Sequence, residues 1–133
     1  MADKATGDKV TPTSLFRIAS VSKPITSAAI MRLVQDGRLA LTDTVFGEGG
    51  VLEPMFGADR AFGANITKIT VQHLLEHTSG GWSNANSNQD DPMYYAPPTR
   101  TQKELIGDEL GKDVAEPGTV YATPTSGTAC SAG

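Results

Sequence analysis

Between residues 25 and 34 the apolar positions Ile25, Ala28, Ala29, Ile30, Leu33 and Val34 recur at three- and four-residue steps, the repeat of an α-helix. Pro24 fits the first turn of such a helix, where its missing N–H and fixed φ do little harm. The pattern predicts a helix over 22–36, apolar around most of its circumference, with Arg32, Gln35 and Asp36 as its polar end. A helix of that kind is normally central and buried. Gly37 suits the left-handed position after the last turn, and Leu39 is placed to fold back onto it. Residues 1–13, ahead of the helix, are polar and rich in turn formers.

The later pattern is weaker. Gly47, Gly49, Gly50, Gly57 and Gly63 make 46–68 read as irregular chain with one short helix near 52–56. Thr70 can cap a second helix over 71–77, which Thr78-Ser79-Gly80-Gly81 would end. Residues 82–100 read as a polar loop whose main apolar mass is Met93, Tyr94 and Tyr95. Over 101–110, Leu105, Ile106 and Leu110 fall on one side of an amphipathic helix, and Glu116-Pro117-Gly118-Thr119 reads as a turn. No repeat and no phosphate-binding glycine loop occurs.

The chemistry sits at the start of the first helix. Ser20 falls at the helix N-terminus and Lys23 one turn on, on the same face. A serine hydroxyl is a weak nucleophile until a base takes its proton, and a lysine that has lost its charge can do so. The helix N-terminus adds N–H groups and a positive dipole end suited to a developing oxyanion. The bland alternative makes Ser20 a plain N-cap and Lys23 a solvated lysine.

The stretch Leu15-Phe16-Arg17-Ile18-Ala19-Ser20-Val21-Ser22-Lys23-Pro24 resembles the first active-site motif of the penicillin-binding serine hydrolases, which include β-lactamases, D-alanyl-D-alanine peptidases and esterases. Three companions follow in the family's order: Leu33-Val34-Gln35-Asp36-Gly37-Arg38-Leu39, then Ile69-Thr70-Val71-Gln72-His73-Leu74-Leu75-Glu76-His77-Thr78-Ser79-Gly80, then Pro117-Gly118-Thr119-Val120-Tyr121. The esterase and class C β-lactamase branch is the most similar. The resemblance implies an α/β fold, an antiparallel sheet flanked by helices plus a helical subdomain, of which this chain is a mostly helical fragment. It implies Ser20 and Lys23 as the catalytic pair and a small-molecule ester, β-lactam or peptidoglycan-like peptide as substrate, with the branch favouring ester. It implies no metal and no organic cofactor. The region around 82–100 borders the substrate cleft in the family, which makes Trp82, Tyr94 and Tyr95 candidates for substrate packing; pinning of a long loop is the other reading.

Composition narrows the field further. The 133 residues suit one small domain, and a net charge of −4 with interspersed signs does not suggest a nucleic-acid partner. No run reaches membrane-spanning length, and the N-terminus lacks a signal peptide's apolar core, so the chain as written is expected to stay in the cytoplasm, although family members are often exported. Cys130 is the single cysteine, which leaves no internal disulfide and no reading of redox compartment. Asn65-Ile66-Thr67 matches a glycosylation sequon. The oligomeric state is not legible.

His73-Leu74-Leu75-Glu76-His77 also fits the zinc-peptidase pattern His-x-x-Glu-His, in which two imidazoles one turn apart hold the metal and Glu76 serves as base. The competing expectation is a helix that packs Val71, Leu74 and Leu75 inward, with His77 near its C-terminal end.

The family pattern breaks after Ala122. The second motif, Tyr-x-Asn, should fall at 123–125, where the chain has Thr123 and Thr125, and Tyr121 stands two positions early. The third motif, Lys/His-x-Gly, and the strands that open the sheet have no counterpart in these residues. The expected division is therefore 1–122 as partial hydrolase domain and 123–133 as a non-family tail. A one-base shift of codons chosen for that tail permits Tyr-Ser-Asn-Phe-Gly-Tyr-Cys-Val-Leu-Gly-Gly, the family's continuation, so a net single-base deletion accounts for it. Three functions follow: a serine hydrolase whose present chain is truncated and inactive, a non-catalytic remnant of a truncated gene, or a zinc peptidase.

Overall fold

The computed structural model describes residues 7, 9–16, 18–81 and 99–121. A 3-10 turn over Ala19–Val21 runs straight into α1 (Ser22–Gln35), the longest element among the described residues. Among the described residues three shorter helices follow: α2 (Glu53–Phe56), α3 (Val71–Leu75) and α4 (Gln102–Glu109). A second 3-10 turn, Ile66–Lys68, precedes α3. Among the described residues the β-structure is one isolated antiparallel bridge, Thr44 to Thr70. No helix among them is long and apolar enough to cross a membrane.

Local sequence explains where these helices stop and start. At the end of α1 the Arg38 N–H donates to the Leu33 carbonyl and the Gly37 N–H to that of Val34, both at 3.0 Å. Gly37 takes φ +68°, a left-handed value that costs glycine little. This is a Schellman closure. Thr70 opens α3 with its hydroxyl accepting from the His73 N–H, while the Thr70 N–H donates to His73 Nδ1 at 3.2 Å. Thr101 and Glu104 form the same reciprocal cap on α4, with the Thr101 N–H donating to Glu104 Oε2 at 2.8 Å.

The end of α3 differs from expectation. The helix stops at Leu75, and His77, not a residue of Thr78-Ser79-Gly80-Gly81, turns the chain at φ +58°. The Thr78 N–H donates to the His73 carbonyl at 2.8 Å and the His77 N–H to that of Leu74 at 3.3 Å. The closure repeats the one after α1, with histidine in glycine's place.

The core gathers Val45, Phe46, Ile66, Ile69, Val71, Ile106, Leu110 and Val114. Phe56 at the end of α2 meets Phe46 edge-on, with ring centroids 6.1 Å apart. Segments 41–45 and 69–72 lie antiparallel, joined from Val45 N–H to Ile69 carbonyl at 2.8 Å and from Gln72 N–H to Leu41 carbonyl at 2.9 Å. The stretch after α4 is sewn to the residues that flank 69–72: Val114 donates to Ala64, Ala115 to Gly80, and Gly118 to Thr78 at 2.7 Å. Gly80 has φ +87° and meets the Ala115 carbonyl so closely that any side chain there would collide with it. Asn65 is held in the same seam, its amide donating to the Val114 carbonyl at 3.0 Å.

The apolar faces of α1 stand open, as expected of a helical fragment whose described residues hold no sheet strand to cover them. The helix contains no buried residue; Ile25 is 64% exposed, and only Ile30 of this helix packs against the core. An apolar circumference states that a helix is made to be covered. Among the described residues the core lies on one side of α1, and its other faces meet solvent.

Candidate active site

Ser20 lies in the 3-10 turn and Lys23 in the first turn of α1, three residues apart on adjoining turns. The Lys23 Nζ donates to the Ser20 Oγ at 2.9 Å. The Val21 N–H is engaged with the Ile18 carbonyl at 2.9 Å, which closes the 3-10 turn and fixes the serine ahead of the helix axis. Ser20 is exposed and Lys23 half-buried, so the hydroxyl faces solvent while the lysine stem runs against the protein. The positive end of the α1 dipole points to this corner. Such an arrangement is able to pass a proton between serine and lysine and to favour negative charge beside them.

Beneath α1 lies a cavity of about 270 Å³. One wall is the inner face of the helix, Lys23, Thr26, Ser27 and Ile30; the other includes Leu52, Val71, Leu74 and Leu75. His77 closes the edge, its Nδ1 buried without a hydrogen-bond partner. On its other side the His77 ring meets Tyr121 edge-on at 6.1 Å.

The geometry places the remaining candidates unequally. Trp82, Tyr94 and Tyr95 lie outside the described residues. His73 and His77 do not form the paired ligands of the zinc pattern, because α3 ends between them and His77 departs in the left-handed conformation. The His73 Nδ1 is already taken by the helix cap. Among the described residues no three His, Cys, Asp or Glu side chains converge as a metal would require. Sequence reasoning missed Thr26, Ser27 and His77 as cavity residues. The i, i+3 and i+4 spacing of Thr26 and Ser27 from Lys23 could have placed the first two on its face.

The match to known proteins covers most of the chain. The Beta-lactamase family matches residues 1–129. Esterase EstB of Burkholderia gladioli is 41% identical over 80 residues, which is 60% of this chain and 19% of that protein. Protein flp of Staphylococcus aureus is 35% identical over 102 residues, 77% of this chain and again 19% of that protein. Among solved structures, a D-stereospecific amidohydrolase from Streptomyces sp. superposes with a TM-score of 0.63 at 26% identity, covering 87% of this chain and 35% of that one. The octameric penicillin-binding protein homologue from Pyrococcus abyssi gives 0.58 at 29% identity, over 84% of this chain and 25% of its own. The chain thus spans about a fifth of the length of these curated relatives. It belongs to the β-lactamase family of serine hydrolases and carries a mostly helical part of the β-lactamase/transpeptidase-like α/β fold.

Proposed function

We propose that this chain carries the nucleophile of a hydrolase that works through an acyl-enzyme, with Ser20 as nucleophile and Lys23 as its base. The observation that carries the reading is the 2.9 Å contact between Lys23 Nζ and Ser20 Oγ at the start of α1. In this scheme Ser20 Oγ attacks the substrate carbonyl carbon as its proton passes to Lys23 in the amine form. The carbonyl π pair moves onto oxygen, where the helix dipole opposes the charge. Collapse breaks the bond to the leaving alcohol, which takes the proton from Lys23. Water then adds to the acyl carbon, gives a proton to Lys23, and the Oγ–C bond breaks with return of that proton to Ser20. The acid leaves.

Likeness to Esterase EstB favours a carboxylic ester as substrate, while the D-stereospecific amidohydrolase and the penicillin-binding protein homologue keep amide, β-lactam and D-alanyl peptide in play. The proposed hydrolase part is 1–122, with 123–133 a tail read in the wrong frame. Thr123 and Thr125 stand where the family's tyrosine and asparagine belong, which favours a second reading: a non-catalytic product of a truncated gene.

The 133-residue chain is expected to turn over p-nitrophenyl esters and nitrocefin at background. Lys23 lacks the tyrosine partner, and loss of an oxyanion donor alone costs on the order of a hundredfold. A longer product that reads Tyr-Ser-Asn after Ala122 and carries the sheet should hydrolyse them, and Ser20→Ala should abolish this with the fold intact. Burst kinetics in the 133-residue chain that vanish with Ser20→Ala would instead make it a minimal enzyme. A restored product without Ser20-dependent turnover would overturn the hydrolase reading.

A further inference from the structure

We propose that the cavity beneath α1 is an acyl pocket, which takes the apolar acyl group of the ester whose carbonyl Ser20 attacks. The proposal rests on the serine-hydrolase reading and adds the substrate class to it. The cavity exists because α1 turns Thr26 and Ser27 inward, where larger side chains would fill the space against Leu52, Val71, Leu74 and Leu75. An apolar cavity of roughly 150 Å³ stays dry and binds benzene. This one, at about 270 Å³ and half open to solvent, has room for more than a ring of that size. Water held inside needs two to four polar partners, and the wall offers few.

Position links the cavity to the chemistry. Lys23 lines it, and the same side chain reaches Ser20 Oγ at 2.9 Å. The four-carbon stem of one lysine therefore separates the nucleophile from the apolar space. In the proposal an acyl chain with its carbonyl at Ser20 runs inward along that stem. After hydrolysis the product carboxylate meets the Lys23 ammonium while its tail stays in the cavity. The product acid is thus a direct probe of the pocket, independent of turnover.

Octanoate titrated into the methyl-labelled 133-residue chain should give saturable shifts at Ile30, Leu52, Val71 and Leu74. Ile25 and Met31, on exposed faces of α1, should not respond. Methyl- and octyl-bearing fluorophosphonates then test the link to Ser20 in the longer product that reads Tyr-Ser-Asn after Ala122, with labelling rates followed by intact mass. The octyl reagent should react at least about tenfold faster, since even one buried methylene discriminates by that order. Ser27→Leu, which fills the cavity from the helix side, should bring the octyl-to-methyl ratio close to one. If that variant loses its fold, Leu74→Ala opens the opposite wall and should instead shift the preference toward a branched chain. Absent shifts at the cavity wall, or shifts spread equally over the exposed face, overturn the proposal. Equal labelling by the two reagents overturns the acyl pocket and leaves the serine reading standing. Failure of either reagent to label Ser20 while octanoate still shifts the wall removes the serine reading, and the acyl assignment with it.

Discussion

The body of the protein, 39–81 with 99–121, and the arm that carries Ser20 and Lys23 treat apolar residues in opposite ways. In the body Ile66, Ile69 and Leu110 are fully buried, and backbone bonds stitch 63–80 to 110–118. In the arm, Leu15 is 99% exposed and Phe16, Ile18, Val21 and Ile25 are all largely open. The arm is no less regular, since α1 is the longest helix among the described residues and has a complete Schellman closure. Local propensity and tertiary burial are therefore separable in one chain. The candidate chemistry rides on an element without a buried residue.

Several measurements would sharpen or break this contrast. The largest effect belongs to the body: Leu110→Ala should cost about 2–5 kcal/mol in denaturant unfolding, the range for a fully buried leucine. Ile25→Ala in the arm should stay within about 0.5 kcal/mol. Equal losses at the two positions would mean that α1 is packed after all. Amide exchange should follow the same division, with α4 protected more strongly than α1. Thr70→Ala, which removes the cap of α3, should cost about 1 kcal/mol by thermal or chemical melting.

The smallest effect is on pH. Hydrogen bonds from the Thr101 backbone and then its hydroxyl hold the Glu104 carboxylate below its usual range, with Arg100 adding to them. A depressed value means that the cap's contribution is present above the unfolded value and is lost as pH falls through the folded one. Acid titration of helicity should show that loss, and Glu104→Gln should remove the pH dependence. A response that strengthens on acidification would contradict the cap.

Much of this was legible because it depends on near neighbours. The repeat from Ile25 to Val34, the glycine after α1 and the threonine before α3 each signal a helix limit through local geometry. Ser20 and Lys23 were legible for the same reason, since three residues across a helix start bring them together. The exposure of α1 was legible from two signals together: an apolar circumference marks a helix made to be covered, and no strand pattern in these residues supplies the cover. His77 at the end of α3 escaped because the four residues after it look like better helix breakers. The closure is decided by the hydrogen bonds to His73 and Leu74, which a residue type alone does not announce. The cavity escaped because it is a shortage of volume between two helices distant in sequence.

The central claim is that Ser20, paired with Lys23, is a nucleophile. Fluorophosphonate labelling of the longer product that reads Tyr-Ser-Asn after Ala122, followed by peptide mapping, tests it most directly. The account predicts covalent modification at Ser20, lost in Ser20→Ala and strongly slowed in Lys23→Met, with Ser22 and Ser27 unmodified. Labelling spread over several serines at the rate of the unfolded chain, or unaffected by Lys23→Met, would contradict it.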